Sequence, residues 1–231
     1  MILTLTKNEL RNYLGKQLEN FFPDGLTEKY YKGRDIDLAL DLALQRTENC
    51  FKHINNAAYS DEKGQTYFSH LHSDQYSQFL YFFMNSLWQE SENKNICDKI
   101  ILLNRTLNSI FVSYKCALPD IFFFGHPVGT ILGNAKYSDY LYVSQNVTVN
   151  TGKNEKKSLT PELGKGLYLA AGAKIIGEER VGDRVAIGVD AVVYKQEIGD
   201  DKLVIRDETG NIVIKENKKC IQQSLFRTTI K

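Results

Sequence analysis

Aliphatic residues recur at every sixth position in the last third of the chain. The six positions are Leu163, Leu169, Ile175, Val181, Ile187 and Val193. A helix repeats its apolar face every 3.6 residues and a half-buried strand every second residue, so neither explains this spacing. A period of six is typical of hexapeptide repeats, in which short parallel strands wind around one aliphatic core. The pattern therefore predicts a parallel β-helix over this segment.

A second run with the same period lies upstream and is out of step with the first. It consists of Ile131, Tyr137, Val143 and Val149. Leu163 lies 14 positions after Val149, two more than two hexapeptides require. The residues between the two runs include a stretch with no apolar side chain, at positions 151–158. We therefore expect a polar loop extruded from the coil, and such loops carry function more often than regular turns do.

The first 110 residues have the apolar spacing of helices instead. Thr6 and Glu9 predict a capping box, in which each side chain satisfies a backbone amide of the first turn. One face of that helix carries Leu10, Leu14, Leu18 and Phe21. The turn residues at 23–25 are expected to end it. Further helices are predicted at about residues 35–54, 75–89 and 96–110.

The period of six ends after Gln196, and a different strand pattern follows. The apolar runs 203–206 and 212–215 flank a polar turn, which is typical of a β-hairpin that covers the last coil. The chain is therefore predicted to be an α+β protein. Its predicted parts are an N-terminal α-helical domain over residues 1–112, a β-helix over 113–198 and a C-terminal hairpin over 199–231.

Composition and charge narrow the partners that the chain could have. With 29 basic and 28 acidic residues the formal net charge is +1, so there is no general case for a nucleic-acid or membrane partner. The apolar run at 121–124 is too short to span a bilayer, and the first ten residues lack the apolar core of a signal peptide. The four cysteines show no CxxC spacing, which predicts no metal site and reduced thiols in the cytoplasm.

Residues 124–193 resemble a known family, and three phrases carry the resemblance. In order along the chain they are GHPVGTILGNA, VSQNVTV and GLYLAAGAKIIGEERVGDRVAIGVDAVV. They resemble the serine acetyltransferase branch of the left-handed β-helix (hexapeptide-repeat) acyltransferases. The resemblance implies a left-handed coil and a homotrimer, alone or as a dimer of trimers. It also implies acetyl-CoA as the acyl donor, bound in the groove between neighbouring coils.

By that resemblance His126 is the general base. A hydroxyl barely ionises at neutral pH, whereas an imidazole, with an ordinary pKa of about 6.5, accepts the hydroxyl proton as the new bond forms. The alternative is a structural histidine that is hydrogen-bonded at a turn. Asp120 is the nearest carboxylate in the sequence that could orient the ring, although a turn aspartate more often caps its own backbone.

The resemblance also assigns contacts to acetyl-CoA. Ala171 and Val189 match places one coil apart where small side chains let the donor lie close to the backbone. The stretch that opens the extruded loop matches a further contact and consists of Asn150, Thr151 and Gly152. The alternative is that Ala171 is small only because the coil corner demands it. Ordinary solvated charge, rather than phosphate binding, is expected of Lys174, Arg180, Arg184 and Lys195.

Three departures from the family pattern bear on the acceptor. Gly125 stands where serine acetyltransferases have an aspartate, Thr160-Pro161 stands where they have a His-Pro pair, and residues 111–113 hold no aspartate. An ammonium group without a carboxylate partner would be poorly held, so free L-serine is disfavoured. A sugar or polysaccharide hydroxyl, as in polysaccharide biosynthesis, is therefore the expected acceptor.

Aromatic residues fit a carbohydrate acceptor but have a second explanation. Stacking on a sugar ring, or outward positions on the coil, would suit Tyr137, Tyr140, Tyr142 and Tyr168. Three alternatives to a sugar O-acetyltransferase stay open at this point: a divergent serine O-acetyltransferase, a sugar N-acetyltransferase and a non-catalytic trimeric scaffold.

Overall fold

The chain forms two compact units in the computed structural model, which describes residues 1–150 and 160–230. The first unit comprises Met1–Lys52 and Ala57–Lys115, and the second comprises His53–Asn56 and the residues from Cys116 onward. The polar loop predicted at 151–158 lies outside the described residues. The division into three domains with boundaries at 112 and 198 stays a prediction.

Helices build the first unit. They are α1 (Lys7–Phe21), α2 (Leu26–Tyr30), α3 (Arg34–Phe51), α4 (Ser73–Ser91) and α5 (Lys94–Asn108). Helix α4 packs against both α3 and α5, and its residues from Asp74 to Leu87 are buried. Three short strands complete the unit: β1 (Ile2–Leu3), β2 (Tyr67–Phe68) and β3 (Phe111–Val112). None of the helices in the described ranges is long and apolar enough to cross a membrane.

The start of α1 confirms the predicted capping box. Thr6 Oγ1 accepts a hydrogen bond from the Glu9 backbone N–H at 3.3 Å, and the Glu9 carboxylate accepts one from the Thr6 N–H at 2.8 Å. Three of the four apolar residues predicted on one face are buried: Leu10, Leu14 and Leu18. The fourth, Phe21, is 46% exposed, because it is the last residue of the helix and the chain turns away there.

Short strands on three faces build the second unit. The first face holds β4 (Phe122–Phe124), β7 (Leu141–Val143), β10 (Tyr168–Leu169), β12 (Ala186–Ile187), β14 (Lys202–Arg206) and β15 (Ile212–Glu216). The second face holds β5 (Ile131–Leu132), β8 (Thr148–Val149), β11 (Lys174–Ile176) and β13 (Val192–Tyr194). The third face holds β6 (Lys136–Tyr137) and β9 (Glu162–Leu163), and is continued by the bridges Leu163–Val181 and Val181–Ile198.

Successive coils pair in parallel and in register. Tyr168 pairs with Ala186, and Lys174 pairs with Val192, so one coil takes 18 residues, or three hexapeptides. The aliphatic residues at the six predicted positions from Leu163 to Val193 are each no more than 2% exposed. The period of six therefore marks the inner side of a parallel β-helix.

The upstream run begins one position later than the sequence analysis placed it. Leu132 pairs with Val149 and is 1% exposed, whereas Ile131 pairs with Thr148 and is half-buried. The assignment of Ile131 to the inner side is wrong, because Leu132 and Tyr137, the residues that pair with Val149 and Leu163, are only five positions apart. Only the later members of that run, Val143 and Val149, are fully buried.

The predicted C-terminal hairpin is present and extends the first face. Strand β14 pairs in parallel with β12, and β15 then pairs antiparallel with β14. Beyond the hairpin the chain returns to the coil through a turn at Ile221–Leu225. The amide of Gln222, which is fully buried, donates to the backbone carbonyl of Gly166. The contact of residues 221–225 with the coil is not predictable from the sequence, since this segment has no apolar period.

Two neighbouring valines of β13 provide a matched test of the coil. Val193 is 2% exposed and Val192 is 37% exposed. We expect Val193→Ala to lower the free energy of unfolding by about 1–3 kcal/mol, because it removes buried methyl groups and leaves a cavity. We expect Val192→Ala to change that free energy by less than about 0.5 kcal/mol. Urea denaturation followed by circular dichroism measures both, and equal losses would contradict the assignment of inner and outer sides.

Candidate active site

The candidate site lies at the corner where each coil passes from the first face to the second, which we term the first corner. In the three later coils this corner has four residues, at 144–147, 170–173 and 188–191. In the first coil it has six, at 125–130. The backbone N–H of Gly125 donates to the Val143 carbonyl, which continues the hydrogen bonding between β4 and β7. The two additional residues are therefore His126 and Pro127.

His126 stands on this two-residue insertion. The N–H of Val128 donates to the His126 carbonyl at 2.7 Å, which closes a tight turn around Pro127. Pro127 is buried, whereas the His126 side chain is exposed. The backbone of His126 is left-handed, with φ of 54°, a conformation that costs a non-glycine residue about 1–2 kcal/mol. Asn146 and Asp190 have the same left-handed backbone at this corner of later coils, so the conformation belongs to the corner and the imidazole distinguishes His126.

Ala171 and Val189, predicted to contact acetyl-CoA, are stacked on the same corner. The N–H of Asp190 donates to the Ala171 carbonyl at 2.9 Å, and the N–H of Gly172 donates to the Gln145 carbonyl at 2.9 Å. The N–H of Asn146 likewise donates to the Val128 carbonyl at 2.8 Å. These bonds align a column of four residues, which we term the corner column: Val128, Gln145, Ala171 and Val189.

The corner column presents unused backbone donors. Within residues 1–150 and 160–230, the N–H groups of Gln145, Ala171 and Val189 make no hydrogen bond. Gln145 and Val189 are exposed and Ala171 is half-buried. The coils are about 4.8 Å apart, the spacing of neighbouring strands. A chain molecule with amide carbonyls could lie along this column, which suits a pantetheine arm.

Asn150, the described residue among the three predicted to open the polar loop, lies at a different corner. Asn150 follows β8 at the next corner and is 1% exposed. Its N–H donates to Ile175, and its side-chain amide donates to the Gly177 carbonyl at 2.8 Å. The structure therefore does not bring Asn150 into the corner column. Thr151 and Gly152 lie outside the described residues.

The four basic residues near the coil each have a partner within the chain. Arg180 pairs with Asp200 at 3.0 Å, and both guanidinium arms of Arg184 reach Asp201 at 2.7 Å. The hydrogen bonds from Arg184 hold the pKa of Asp201 below its ordinary value. Lys174 donates to the Gly172 carbonyl at 2.8 Å, and the Lys195 ammonium lies 5.4 Å from the centre of the Tyr194 ring.

Gly125, which precedes His126, has no room for a side chain. A Cβ at this position would lie 2.3 Å from the Tyr142 hydroxyl oxygen and 2.8 Å from two ring carbons. The aspartate of the family pattern therefore does not fit while Tyr142 keeps its position. Asp120, the carboxylate that could orient the His126 ring, precedes β4 whereas His126 follows it, with about 10 Å of strand between them.

The four tyrosines do not form one stacking platform. The rings of Tyr142 and Tyr168 are stacked, with centroids 4.7 Å apart. The Tyr137 hydroxyl donates to the Gly133 carbonyl, and Tyr140 packs edge to face on Phe226. Only Tyr142 and Tyr168 therefore lie together on the first face.

The residues that the structure describes provide neither a cluster of metal ligands nor, at Cys97 and Cys116, a reactive thiol. Among the residues that the structure describes, no group of three His, Cys, Asp or Glu side chains is placed to hold a metal ion. Burial raises the pKa of Cys97 and Cys116 to about 12. Both thiols therefore stay protonated and unreactive near neutral pH.

Comparison with known proteins confirms the resemblance to the serine acetyltransferase branch. Serine acetyltransferase from Synechococcus elongatus is 32% identical over 104 residues, which are 44% of this chain and 42% of that protein. The chain thus matches less than half the length of this curated relative. No model of a known protein family matches the chain.

Solved structures show the same fold. Serine acetyltransferase from Vibrio cholerae superposes with a TM-score of 0.67 at 19% identity, covering 94% of this chain and 82% of that one. Serine acetyltransferase from Brucella abortus in complex with coenzyme A superposes with a TM-score of 0.63 at 16% identity, covering 94% and 84%. The sugar or polysaccharide acceptor expected from the sequence has no support in these comparisons, which favour the serine O-acetyltransferase alternative.

Proposed function

We propose that this chain is an acetyl-CoA-dependent O-acetyltransferase in which His126 is the general base. L-Serine, or a hydroxyl compound built like it, is the acceptor. The observation that carries the proposal is the placement of an exposed imidazole on a strained insertion at the end of the corner column. The names of the relatives support the acceptor, and the unused N–H groups of the column support the donor.

The proposed mechanism assigns one proton to His126. Acetyl-CoA, when bound, supplies an acetyl group whose thioester carbon is open to attack. The imidazole of His126 accepts the proton of the acceptor hydroxyl as the oxygen forms its bond to that carbon. It returns the proton to the thiolate sulfur when the carbon–sulfur bond breaks, so that the products are an acetyl ester and CoA. The imidazole thus ends the cycle as it began.

The corner column serves to hold the donor. The small side chain of Ala171 leaves its backbone accessible, and the unused N–H groups of Gln145, Ala171 and Val189 would pair with the amide carbonyls of pantetheine. Donors fixed by the coil ladder need no reorganisation when negative charge develops on the carbonyl oxygen during attack. Asn150, Thr151 and Gly152 stay proposed as further donor contacts from the family resemblance, without support from the described geometry of Asn150.

We also propose a left-handed coil and a homotrimer, as the resemblance implies, and a cytoplasmic location, as the cysteine pattern predicts. Exposed apolar side chains along the corner and the second face support subunit contact: Val128, Val189 and Tyr194. Multi-angle light scattering of the purified protein would give about three times the chain mass of 26.4 kDa for the trimer and six times for the dimer of trimers. A mass of one chain would remove this part of the proposal.

Turnover of acetyl-CoA tests the function directly. The purified protein, acetyl-CoA and L-serine should release CoA thiol in proportion to O-acetylserine identified by mass spectrometry. Capsular sugars and amino sugars in parallel reactions test the sugar O- and N-acetyltransferase alternatives. Thiol release no faster than hydrolysis without any acceptor would contradict the proposal and favour a non-catalytic scaffold.

Donor binding at the corner column gives a separate prediction. We expect Ala171→Leu to raise the Kd for CoA about tenfold, because the larger side chain covers a backbone donor and a lost hydrogen bond or two is worth about 1.4 kcal/mol. Isothermal titration calorimetry measures the affinity. Lys165→Leu is the matched control, since Lys165 occupies the corresponding place at another corner, where its carbonyl accepts from Arg184. Equal Kd values for the two variants would contradict donor binding at the column.

A further inference from the structure

A column of aromatic rings runs along the outer side of the first face next to His126. Phe123 pairs in register with Tyr142, and Tyr142 pairs with Tyr168. The rings of Tyr142 and Tyr168 are stacked with an angle of 14° between their planes, and Phe123 meets Tyr142 edge to face at 5.4 Å. Tyr142 is therefore fixed by aromatic contacts on both sides, since such ring pairs each add about 0.5–1.5 kcal/mol.

The hydroxyl of Tyr142 lies directly over Gly125. The 2.3 Å separation between the Tyr142 oxygen and an ideal Cβ at this position shows that the hydroxyl occupies the volume of a side chain there. Ser144 Oγ donates to the Tyr142 oxygen at 3.3 Å, which adds a second hydroxyl to the group. A fixed pair of hydroxyls therefore stands beside the residue that precedes the candidate base.

The described segments that carry this pair, His126 and Tyr168 contain no charged side chain. Residues 123–128, 141–146 and 167–171 contain neither Asp and Glu nor Lys and Arg. Burial raises the pKa of Tyr168, and Tyr142 adds to the effect, so the stacked partner of Tyr142 stays uncharged. An uncharged hydrogen bond changes an affinity by about 2- to 10-fold, whereas one to a charged group changes it by about 10- to 100-fold.

We propose that Tyr142 is a specificity-determining residue whose hydroxyl, supported by Ser144 and the ring of Tyr168, binds the acceptor beside His126 through uncharged hydrogen bonds. The ammonium group of an amino-acid acceptor is therefore not required. Hydroxyl compounds that lack it are accepted along with L-serine. This inference rests on the proposed function, because it places the acceptor next to His126.

The first test compares two acceptors on the unmodified protein. β-Hydroxypropionate is L-serine with hydrogen in place of the ammonium group. We expect its kcat/KM to lie within about tenfold of that for L-serine, since the loss of a charged hydrogen bond would cost at least that factor. A preference for L-serine greater than tenfold would overturn the proposal.

The second test removes only the hydroxyl. Tyr142→Phe keeps the ring stack, so we expect unchanged thermal stability, an unchanged KM for acetyl-CoA and a KM for the acceptor raised about three- to tenfold. Tyr137→Phe is the matched control, because it removes a tyrosine hydroxyl on the third face and should leave both KM values unchanged. An acceptor KM in Tyr142→Phe equal to that of Tyr137→Phe would overturn the role of Tyr142.

A gain of charge selectivity is the complementary test. In Gly125→Asp combined with Tyr142→Ala, the smaller residue vacates the volume that a Cβ at 125 needs. We expect the preference for L-serine over β-hydroxypropionate to increase at least about tenfold, as a carboxylate can pair with the ammonium. An unchanged preference in a folded, active double variant would count against the proposal.

The tests distinguish this inference from the proposed function. If the unmodified protein turns over L-serine but the three results above are not found, only this inference is removed. If the unmodified protein turns over no acceptor, the proposed function and this inference are removed together.

Discussion

His126→Asn should reduce the rate of acetyl transfer by about 100- to 10,000-fold, the range that general acid–base catalysis supplies. Asparagine is the suitable replacement because its short polar side chain tolerates the left-handed backbone that residue 126 adopts at φ of 54°. The variant should keep the thermal stability and the CoA affinity of the unmodified protein. Release of CoA thiol, with acceptor at saturation, measures the rate.

His72→Asn is the matched control for that experiment. His72 caps α4 by accepting from the Gln75 backbone N–H, and asparagine is among the best capping residues. The control should therefore keep both the fold and the full rate of transfer. A rate in His126→Asn above one tenth of that of the unmodified protein, with CoA binding intact, would show that the imidazole is not the base.

Gly133→Ala should destabilise the protein by about 3 kcal/mol or more, a large value for a single methyl group. A Cβ at residue 133 would lie 1.6 Å from the backbone carbonyl oxygen of Asn150 in the next coil. The Gly133 N–H also donates to the Val149 carbonyl at 2.7 Å, which ties the two coils together. Backbone cannot move aside as the end of a flexible side chain can, so the coils must separate locally.

Gly199→Ala is the comparison that isolates this effect. A Cβ at residue 199 would meet nothing closer than 3.9 Å, and the glycine does not have a left-handed backbone. Since alanine restricts the unfolded chain, we expect a change between zero and a stabilisation of about 1 kcal/mol. Thermal and urea denaturation measure both variants. Similar stabilities of the two would mean that the close approach at Gly133 is easily relieved.

The fold could be predicted from the sequence because one inner residue per hexapeptide must be buried in every coil. The side chains at every sixth position from Leu163 to Val193 are all buried, without an exception. The same rule gave the wrong inner residue in the first coil, where five positions instead of six separate Leu132 from Tyr137. A hexapeptide shortened by one residue is invisible to a periodic count, since Ile131 and Leu132 are equally apolar.

The helical unit contains features that no apolar period signals. Helix α2 has five residues, fewer than two turns, and so shows no repeat. Lys99 lies on α5 but is 5% exposed, because its ammonium donates to the Phe22 carbonyl and to Thr27 Oγ1, each at 2.8 Å. A lysine on a helix would be placed in solvent from sequence alone, and only the tertiary partners explain its burial.

The site was predictable in part because the coil repeat that predicts the fold also brings residues 18 positions apart to the same corner. Ala171 and Val189 are 18 positions apart, so the coil period alone places them on one corner. Gln145 belongs to the same column but lies 26 positions before Ala171, eight more than one regular coil, so the period does not reveal the relationship. The contact between Tyr142 and Gly125 joins residues of successive coils at the lengthened corner, where the period no longer gives the register.

The 18-residue repeat of the later coils has a consequence for how this architecture can grow. Paired residues of β10 and β12, and of β11 and β13, are 18 positions apart, so each of these coils presents the same backbone groups to the next, and the antiparallel hairpin follows them. A tandem duplication of residues 164–181 would therefore add one coil before the hairpin and leave the surroundings of His126 as they are. The number of coils can thus change, in evolution or in design, without a change at the candidate active site.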